Sequence, residues 1–294
     1  MSSETAALAD GRVVVLSNSY ELDGRVTTHP VDARGYAPMQ TYLLKEGERA
    51  LLLGTGLTGQ EDQILNQIDE ARGTARLSIM PLGFDFTLLS NARPIADRFG
   101  LEYVYQPQYA DAPWTWLNLR PEFPVDERDA LRSADVGMMK TGTPILLDAA
   151  GDRTLHLIVP PLRLLPNPWL YDEATRTMFC VDVFTWVWRP EDRGPWVISE
   201  ADDDPTTLDT VRHALFDNRY WWLPGADTTR IRRALADTFE RYEIENLAPD
   251  HGCALEGSAV VSRHYQLLDD LLAEAPGEPA IGVEVGAWTF AGSR

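Results

Sequence analysis

The sequence predicts an α/β fold, because strand-like and helix-like segments alternate along its 294 residues. The first third of the chain has the order β-β-β-α-β-α, and the second half repeats strand-rich blocks followed by helices. No short-period repeat and no linker divides the chain, and 44% of its residues are hydrophobic, which is enough for a large core. We therefore predict a flexible N-terminus at residues 1–10, which are small and polar, and a single domain at residues 11–294.

The elements of the first half follow from hydrophobic spacing. Apolar runs predict strands at residues 13–16, 41–44, 50–53 and 76–80. A helix is predicted over residues 58–72, because Ile64 and Ile68 share one face. A second helix follows, since apolar residues recur at helical spacing from Ala92 to Phe99.

The second half gives further elements of both kinds. Strands are predicted at residues 154–159, 169–171, 178–182 and 245–247. Helices are predicted at residues 206–217, 228–243 and 258–273. In the middle one of these helices, Ile231, Leu235 and Phe239 recur every four residues and form one apolar stripe, which is typical of a helix packed on a sheet.

Charge and composition narrow the classes of partner. The formal net charge is −19, and an acidic surface repels phosphate backbones and anionic lipids, so we expect neither nucleic acid nor a membrane as a partner. No apolar run approaches the roughly 18 residues of a membrane helix, and the first residues do not resemble a secretory signal. Two cysteines, Cys180 and Cys253, suit a reducing compartment. We therefore expect a cytoplasmic protein with a small-molecule partner.

Four segments resemble, in order, those of a known family. They read HPVDARG at residues 29–35, TYLL to LLGTG at residues 41–56, WLYD to MFCVDVF at residues 169–184, and LAPDHG at residues 247–252. The second is similar to the opening hairpin of metallo-β-lactamase-fold proteins, with Gly54 where an aspartate is usual. The other three resemble the oxygen-binding di-iron, or flavodiiron-like, branch. The resemblance implies a four-layer αβ/βα sandwich of the metallo-β-lactamase type.

The family's metal ligands are only partly present. Its metal-binding loop reads HxExDH, and the aligned residues 81–86 read PLGFDF, so that only Asp85 matches. The next family ligand is a histidine, and Arg163 aligns with it. Asp182 matches the carboxylate that bridges the two metals, and His251 matches the last histidine.

The losses are concentrated in one half of the implied di-metal site. The first metal would need positions 81, 83 and 163, which hold Pro81, Gly83 and Arg163, and none of these binds a cation. The second metal would lack only the histidine replaced by Phe86.

Two hypotheses about cofactors follow from these losses. We favour a site without metal, in which the guanidinium of Arg163 pairs with Asp182 or Asp85. The alternative is one divalent metal, iron, manganese or zinc, bound by Asp85, Asp182 and His251.

Both hypotheses leave candidate catalytic residues. The resemblance places His251, Asp182, Asp85 and Arg163 on one rim of the fold. His251 is predicted to act as a general acid or base that Asp85 or Asp182 orients, while Arg163 binds an anionic group or a developing oxyanion. The alternative is a structural ion-pair network without catalysis.

Aromatic residues predict the character of the pocket. The chain has nine tryptophans, including Trp114 and Trp116, and several follow the predicted core strands. We assign substrate contacts to Phe86, Trp186, Trp188 and Cys253, with packing in the core as the simpler alternative for the tryptophans and the cysteine.

Three functions are compatible with these residues. The first is an atypical metallo-β-lactamase-fold enzyme that acts on a small, partly apolar, anionic molecule by acid–base chemistry without a di-metal centre. The second is a single-metal hydrolase or oxidoreductase, and the third is a non-catalytic small-molecule binding or sensor protein. Dimers are common in the flavodiiron branch, so the resemblance also leaves a homodimer open.

Overall fold

The computed structural model describes residues 2–82, 86–107, 135–139, 142, 144–147, 153–165 and 167–277. Two β-sheets face each other, and helices cover their outer sides. This is the αβ/βα sandwich that the sequence predicts. None of the helices in the described ranges combines the length and the apolar character of a membrane-spanning segment.

The first sheet has seven strands in the described residues, and their spatial order is their chain order. They are β1 (Ser3–Leu8), β2 (Val13–Leu22), β3 (Gly35–Glu46), β4 (Arg49–Leu53), β5 (Arg76–Met80), β6 (Tyr103–Pro107) and β7 (Asp135–Met139). Strands β1 to β4 pair antiparallel, whereas β4 to β7 pair parallel. Short turns follow β1 and β3, and the longer loop of residues 23–34 joins β2 to β3. Parallel neighbours must be joined by crossover connections, and a helix forms the crossover between β4 and β5.

The second sheet contains the other seven described strands. They are β8 (Ile145–Leu146), β9 (Thr154–Ile158), β10 (Trp169–Asp172), β11 (Thr177–Cys180), β12 (Val197–Ile198), β13 (Asn246–Pro249) and β14 (Ala254–Glu256). Their spatial order is β12-β14-β13-β11-β10-β9-β8. Strands β11 and β13 are parallel neighbours, with Cys180 opposite Pro249, so the chain leaves both strands at the same edge.

The helices form the two outer layers. They are α1 (Glu61–Arg72), α2 (Phe86–Leu89), α3 (Ala92–Phe99), α4 (Leu208–Ala214), α5 (Thr229–Arg241) and α6 (Ser258–Glu274). Apolar residues of α1 and α3 share one core cluster with the first sheet. Those of α4, α5 and α6 share another with the second sheet. A third cluster joins the inner faces of both sheets and contains Leu44, Leu51, Leu170, Phe179 and Ala248.

One prediction about the chain terminus was wrong. Ser3–Leu8 is not flexible but forms the edge strand β1, which pairs with β2 from Ser3 opposite Asn18 to Leu8 opposite Val13. Its exposed side chains, those of Ser3, Thr5 and Ala7, are small, and only Leu8 is fully buried, so its sequence gives little hydrophobic signal. The pairing comes from β2, whose backbone groups need partners.

Two other differences concern element ends. The strand predicted at residues 178–182 ends at Cys180, so Asp182 lies beyond it. The helix predicted at residues 206–217 is α-helical only to Ala214 and continues as a π-helical turn, Leu215–Arg219. Both differences shape the candidate site.

Candidate functional site

The site lies where the chain leaves the parallel strands β11 and β13. Asp250 donates its backbone N–H to the Cys180 carbonyl, at 3.0 Å, and its side-chain carboxylate accepts the Asp182 backbone N–H, at 3.4 Å. The first sheet closes the site from the other side, because the Tyr42 hydroxyl donates to the Pro249 carbonyl, at 2.7 Å. The two family-like segments of this chain, MFCVDVF and LAPDHG, therefore meet in space.

The backbone after β11 is strained at two residues. Asp182 and Phe184 have φ values of 68° and 66°, in the left-handed region that non-glycine residues rarely adopt. Such strain persists only where packing holds it, and Phe184 is fully buried with its ring centroid 5.2 Å from that of Trp186. The strained turn directs the Asp182 carboxylate toward its polar neighbours.

Gly252 allows the loop after His251 to lie against the strained segment. Its φ is 82°, and a Cβ built on it would stand 2.6 Å from the Thr185 carbonyl oxygen. No larger residue fits this approach, so the glycine fixes the position of the loop that contains His251.

His251 is buried beside a carboxylate. Its Nδ1 lies 2.8 Å from Oδ2 of Asp250, the residue before it in the chain. Its Nε2 is also buried and has no hydrogen-bond partner among the described residues. The sequence predicted that Asp85 or Asp182 would orient this ring, whereas the carboxylate in contact with it is that of Asp250.

A second buried imidazole faces the first. The ring centroids of His29 and His251 are 5.6 Å apart, and the edges of Tyr20 and Trp188 contact His29. His29 Nδ1 lies 3.0 Å from the Thr28 hydroxyl, while its buried Nε2 has no partner within the described part of the chain. Burial, together with the nearby charges of His251 and Arg219, lowers the pKa of His29 from 6.5 to about 3. His29 is therefore neutral at physiological pH.

The cation of the site is Arg219. Its guanidinium pairs with Oδ1 of Asp182, and the Asn167 amide donates to Oδ2, at 3.3 Å. Arg219 ends the π-helical turn, which the Tyr220 N–H closes onto the Leu215 carbonyl, at 2.6 Å. Such turns are rare and are frequent at functional sites. Arg219 was not predicted from the sequence, because it belongs to none of the family-like segments.

The structure brings together some of the predicted residues. Asp182 and His251 lie in one site, and Trp188 joins them through His29. Asp85, Trp114 and Trp116 lie outside the described residues, and Phe86 is the first residue of α2.

Two predicted substrate contacts lie in the core instead. Trp186 is buried and donates its Nε1–H to Nδ1 of His264, at 2.9 Å. Cys253 is fully buried in the cluster behind the second sheet, and burial raises the pKa of its thiol to about 12.

Arg163 lies on the surface and does not pair with Asp182. It donates to the Pro160 carbonyl, at 2.8 Å, and it forms no ion pair within the described part of the chain. Its neighbour Leu162 is buried in the core cluster behind the second sheet, which fixes the turn with Arg163 on the outside. The predicted pair between Arg163 and Asp182 was therefore wrong, and Arg219 pairs with Asp182 instead.

The described residues do not fit a di-metal centre. No group of three His, Cys, Asp or Glu side chains in these ranges is arranged to hold a metal ion. Both carboxylate oxygens of Asp182 have protein partners, and the Arg219 guanidinium places a fixed positive charge where a metal would be repelled. Asp85, the third ligand of the single-metal hypothesis, lies outside the described residues.

Comparison with known proteins identifies the architecture. No protein-family model matches the chain, and no curated protein matches it either. The flavodiiron core of a Synechocystis protein shares 17% identity at a TM-score of 0.66, over 92% of this chain and 61% of that one. Rubredoxin:oxygen oxidoreductase from Desulfovibrio gigas shares 13% identity at a TM-score of 0.67, over 92% and 62%.

A shorter protein gives the same result. A metallo-β-lactamase from Pontibacter korlensis shares 16% identity at a TM-score of 0.55, over 92% of this chain and 100% of that one. The chain thus spans about three fifths of the two longer proteins and the whole of the shorter one. At these identities the likeness establishes the fold alone.

Proposed function

We propose that this chain, which has the metallo-β-lactamase fold, is an enzyme that transfers protons at His251 on a small, partly apolar molecule without a di-metal centre. The supporting observation is the state of the His251 ring. One ring nitrogen lies against a buried carboxylate, and the other is buried without a partner among the described residues.

The carboxylate of Asp250 defines how His251 would work. An anion 2.8 Å from Nδ1 favours the tautomer with the proton on Nδ1, which leaves a lone pair on Nε2. When Nε2 accepts a proton from the substrate, the same anion stabilises the imidazolium. General acid–base catalysis of this kind typically contributes about 10²–10⁴-fold in rate.

The neighbours of His251 determine what the substrate meets. His29 supplies a neutral imidazole, and Tyr20 and Trp188 supply apolar ring edges, so a partly apolar molecule is favoured. Arg219 balances the charge of Asp182, and its side chain is 16% exposed, so it can contact an anionic group of the substrate. In this proposal Arg219 takes the role that the sequence assigned to Arg163.

Hydrolysis of 4-nitrophenyl acetate tests the proposal, because this activated ester reports any basic imidazole that can reach a small molecule. We expect a rate above that of free imidazole at the same concentration, unchanged by chelator, and lowered about a hundredfold in His251→Gln. His156→Gln is the matched control, since His156 also lies against a carboxylate, that of Glu173, but on the surface. A rate no higher than that of imidazole, or equal rates in both variants, contradicts the proposal.

Non-catalytic binding is the second candidate, and the closed character of the site favours it. Asp182, His251 and His29 are each at most 4% exposed. A binding protein would be stabilised by a small ligand in a thermal-shift screen, would lose that response in His251→Gln, and would not turn the ligand over.

A further inference from the structure

Most of the exposed apolar side chains of the described residues lie around one surface cleft, away from His251. Seven large hydrophobic residues are exposed in these ranges. Val159 and Trp222 line this cleft, and Leu164 and Trp221 are the chain neighbours of lining residues. Soluble proteins rarely concentrate exposed apolar surface without a ligand or partner for it.

The cleft has the size of a small-molecule site. Its volume is about 470 Å³, within the roughly 300–1,000 Å³ of typical ligand pockets. The turn after β9, helix α5 and Trp222 line it. The lining residues are Val159, Pro160, Pro161, Leu162, Arg163, Trp222, Ile231, Ala234 and Thr238, and we call this site the Arg163 cleft.

Among the described residues that line the cleft, Arg163 is the one with a charge. Its contact with the Pro160 carbonyl anchors the guanidinium at the cleft, and no carboxylate within the described ranges neutralises it. A guanidinium binds a carboxylate through two parallel hydrogen bonds and leaves the apolar wall for the rest of the ligand.

The apolar walls favour a flat ligand. Pro160, Pro161 and Trp222 present rigid rings, and Trp222 is 45% exposed, so its indole face is available for stacking. Ile231 and Ala234 of α5 add an aliphatic surface opposite the turn.

We infer that the Arg163 cleft is a binding site for a small aromatic carboxylate, whose carboxylate pairs with Arg163 and whose ring packs on Trp222. None of the lining residues belongs to the His251 site, so this inference stands independently of the proposed function.

Calorimetric titration with 1-naphthoate tests the inference on the full chain. We expect saturable binding at one site, weakened about tenfold or more in Arg163→Gln and in Trp222→Ala, because each variant removes one of the two recognition elements. The uncharged analogue 1-naphthalenemethanol should bind the wild type more weakly and should not distinguish it from Arg163→Gln.

Neighbouring residues provide matched controls. Trp221 and Arg230 are exposed but do not line the cleft, so Trp221→Ala and Arg230→Gln should bind 1-naphthoate like the wild type. His251→Gln should also leave this binding unchanged. The inference is overturned if the wild type does not bind 1-naphthoate, if Arg163→Gln binds it equally well, or if binding is lost in His251→Gln.

Discussion

Two buried histidine–aspartate pairs in this protein differ in whether the second ring nitrogen of the histidine has a hydrogen-bond partner. His264 lies with Nε2 3.0 Å from Asp204, and its Nδ1 accepts the Trp186 N–H, at 2.9 Å. His251 lies with Nδ1 2.8 Å from Asp250, but its Nε2 has no partner among the described residues. A buried imidazole beside a carboxylate is therefore not by itself a sign of catalysis. The sign is a second ring nitrogen that has no hydrogen-bond partner.

The pair around Asp204 is a satisfied structural network. Burial opposes ionisation of Asp204, but hydrogen bonds from His264 and Thr206 outweigh it and lower its pKa to about 2. Arg263 adds an ion pair with the same carboxylate. Each charge in this network has a partner, so we expect the network to stabilise the fold. Four predictions test the contrast between this network and the site around His251.

The largest expected effect is on stability at His264. His264→Leu leaves the Asp204 carboxylate and the Trp186 N–H without their buried partner and should lower the free energy of unfolding by about 3–4 kcal/mol. His251→Leu leaves only Asp250, which still accepts the Asp182 N–H, and should cost about 1–2 kcal/mol. Urea unfolding of both variants measures the difference. Equal losses would break the distinction between the two pairs.

The next effect is the response of the site to acid. His29 has a folded pKa of about 3 and an ordinary pKa of 6.5, so below pH 6.5 the unfolded chain binds a proton that the folded chain excludes. This group therefore lowers stability progressively as the pH falls from 6.5 toward 3, by about 3 kcal/mol at pH ~4. His29→Gln lacks this titration.

Urea unfolding from neutral to acidic pH compares the two proteins, since the other titrations cancel in their difference. The stability of the wild type relative to His29→Gln should fall with decreasing pH. Parallel stability curves would show that His29 is not held neutral by its buried surroundings.

The third effect is on the rate of ester hydrolysis. Asp250→Asn removes the anion that favours the Nδ1 proton and should lower the rate about a hundredfold at neutral pH. Asp204→Asn should instead lower stability and leave the rate of the folded protein unchanged, because Asp204 contacts the structural histidine. If Asp204→Asn lowered the rate and Asp250→Asn did not, the catalytic role would belong to the pair around Asp204 instead.

The smallest expected effect is on the metal content of the purified protein. Protein purified without chelator should contain substoichiometric iron, manganese and zinc by elemental analysis, and Asp182→Ala should not alter that content, since Arg219 and Asn167 already pair with this carboxylate. Stoichiometric metal that is lost in Asp182→Ala would instead support a single-metal site.

Local patterns were sufficient for many elements. Apolar spacing predicted β5 at its observed bounds, the helix that includes α1, and α3, because each buries one regular face against a neighbour. The family-like segments placed Asp182 and His251 at one site, since they follow parallel neighbouring strands. Spacing and short motifs can report these features because they depend on residues that are close in sequence or on a known order of strands.

Contacts between distant segments decided the rest. Strand β1 forms because β2 offers it backbone partners, His29 meets His251 from a loop more than two hundred positions earlier, and Arg219 reaches Asp182 through a π-helical turn. Arg163 turns outward because Leu162 is buried beside it. The sequence alone determined the strands β2 to β5, β9 to β11 and β13, and which two side chains stand at the edge of the scaffold. Only the tertiary structure decided which nitrogen of His251 is paired and which cation lies beside Asp182, because both depend on packing between segments that no local pattern records.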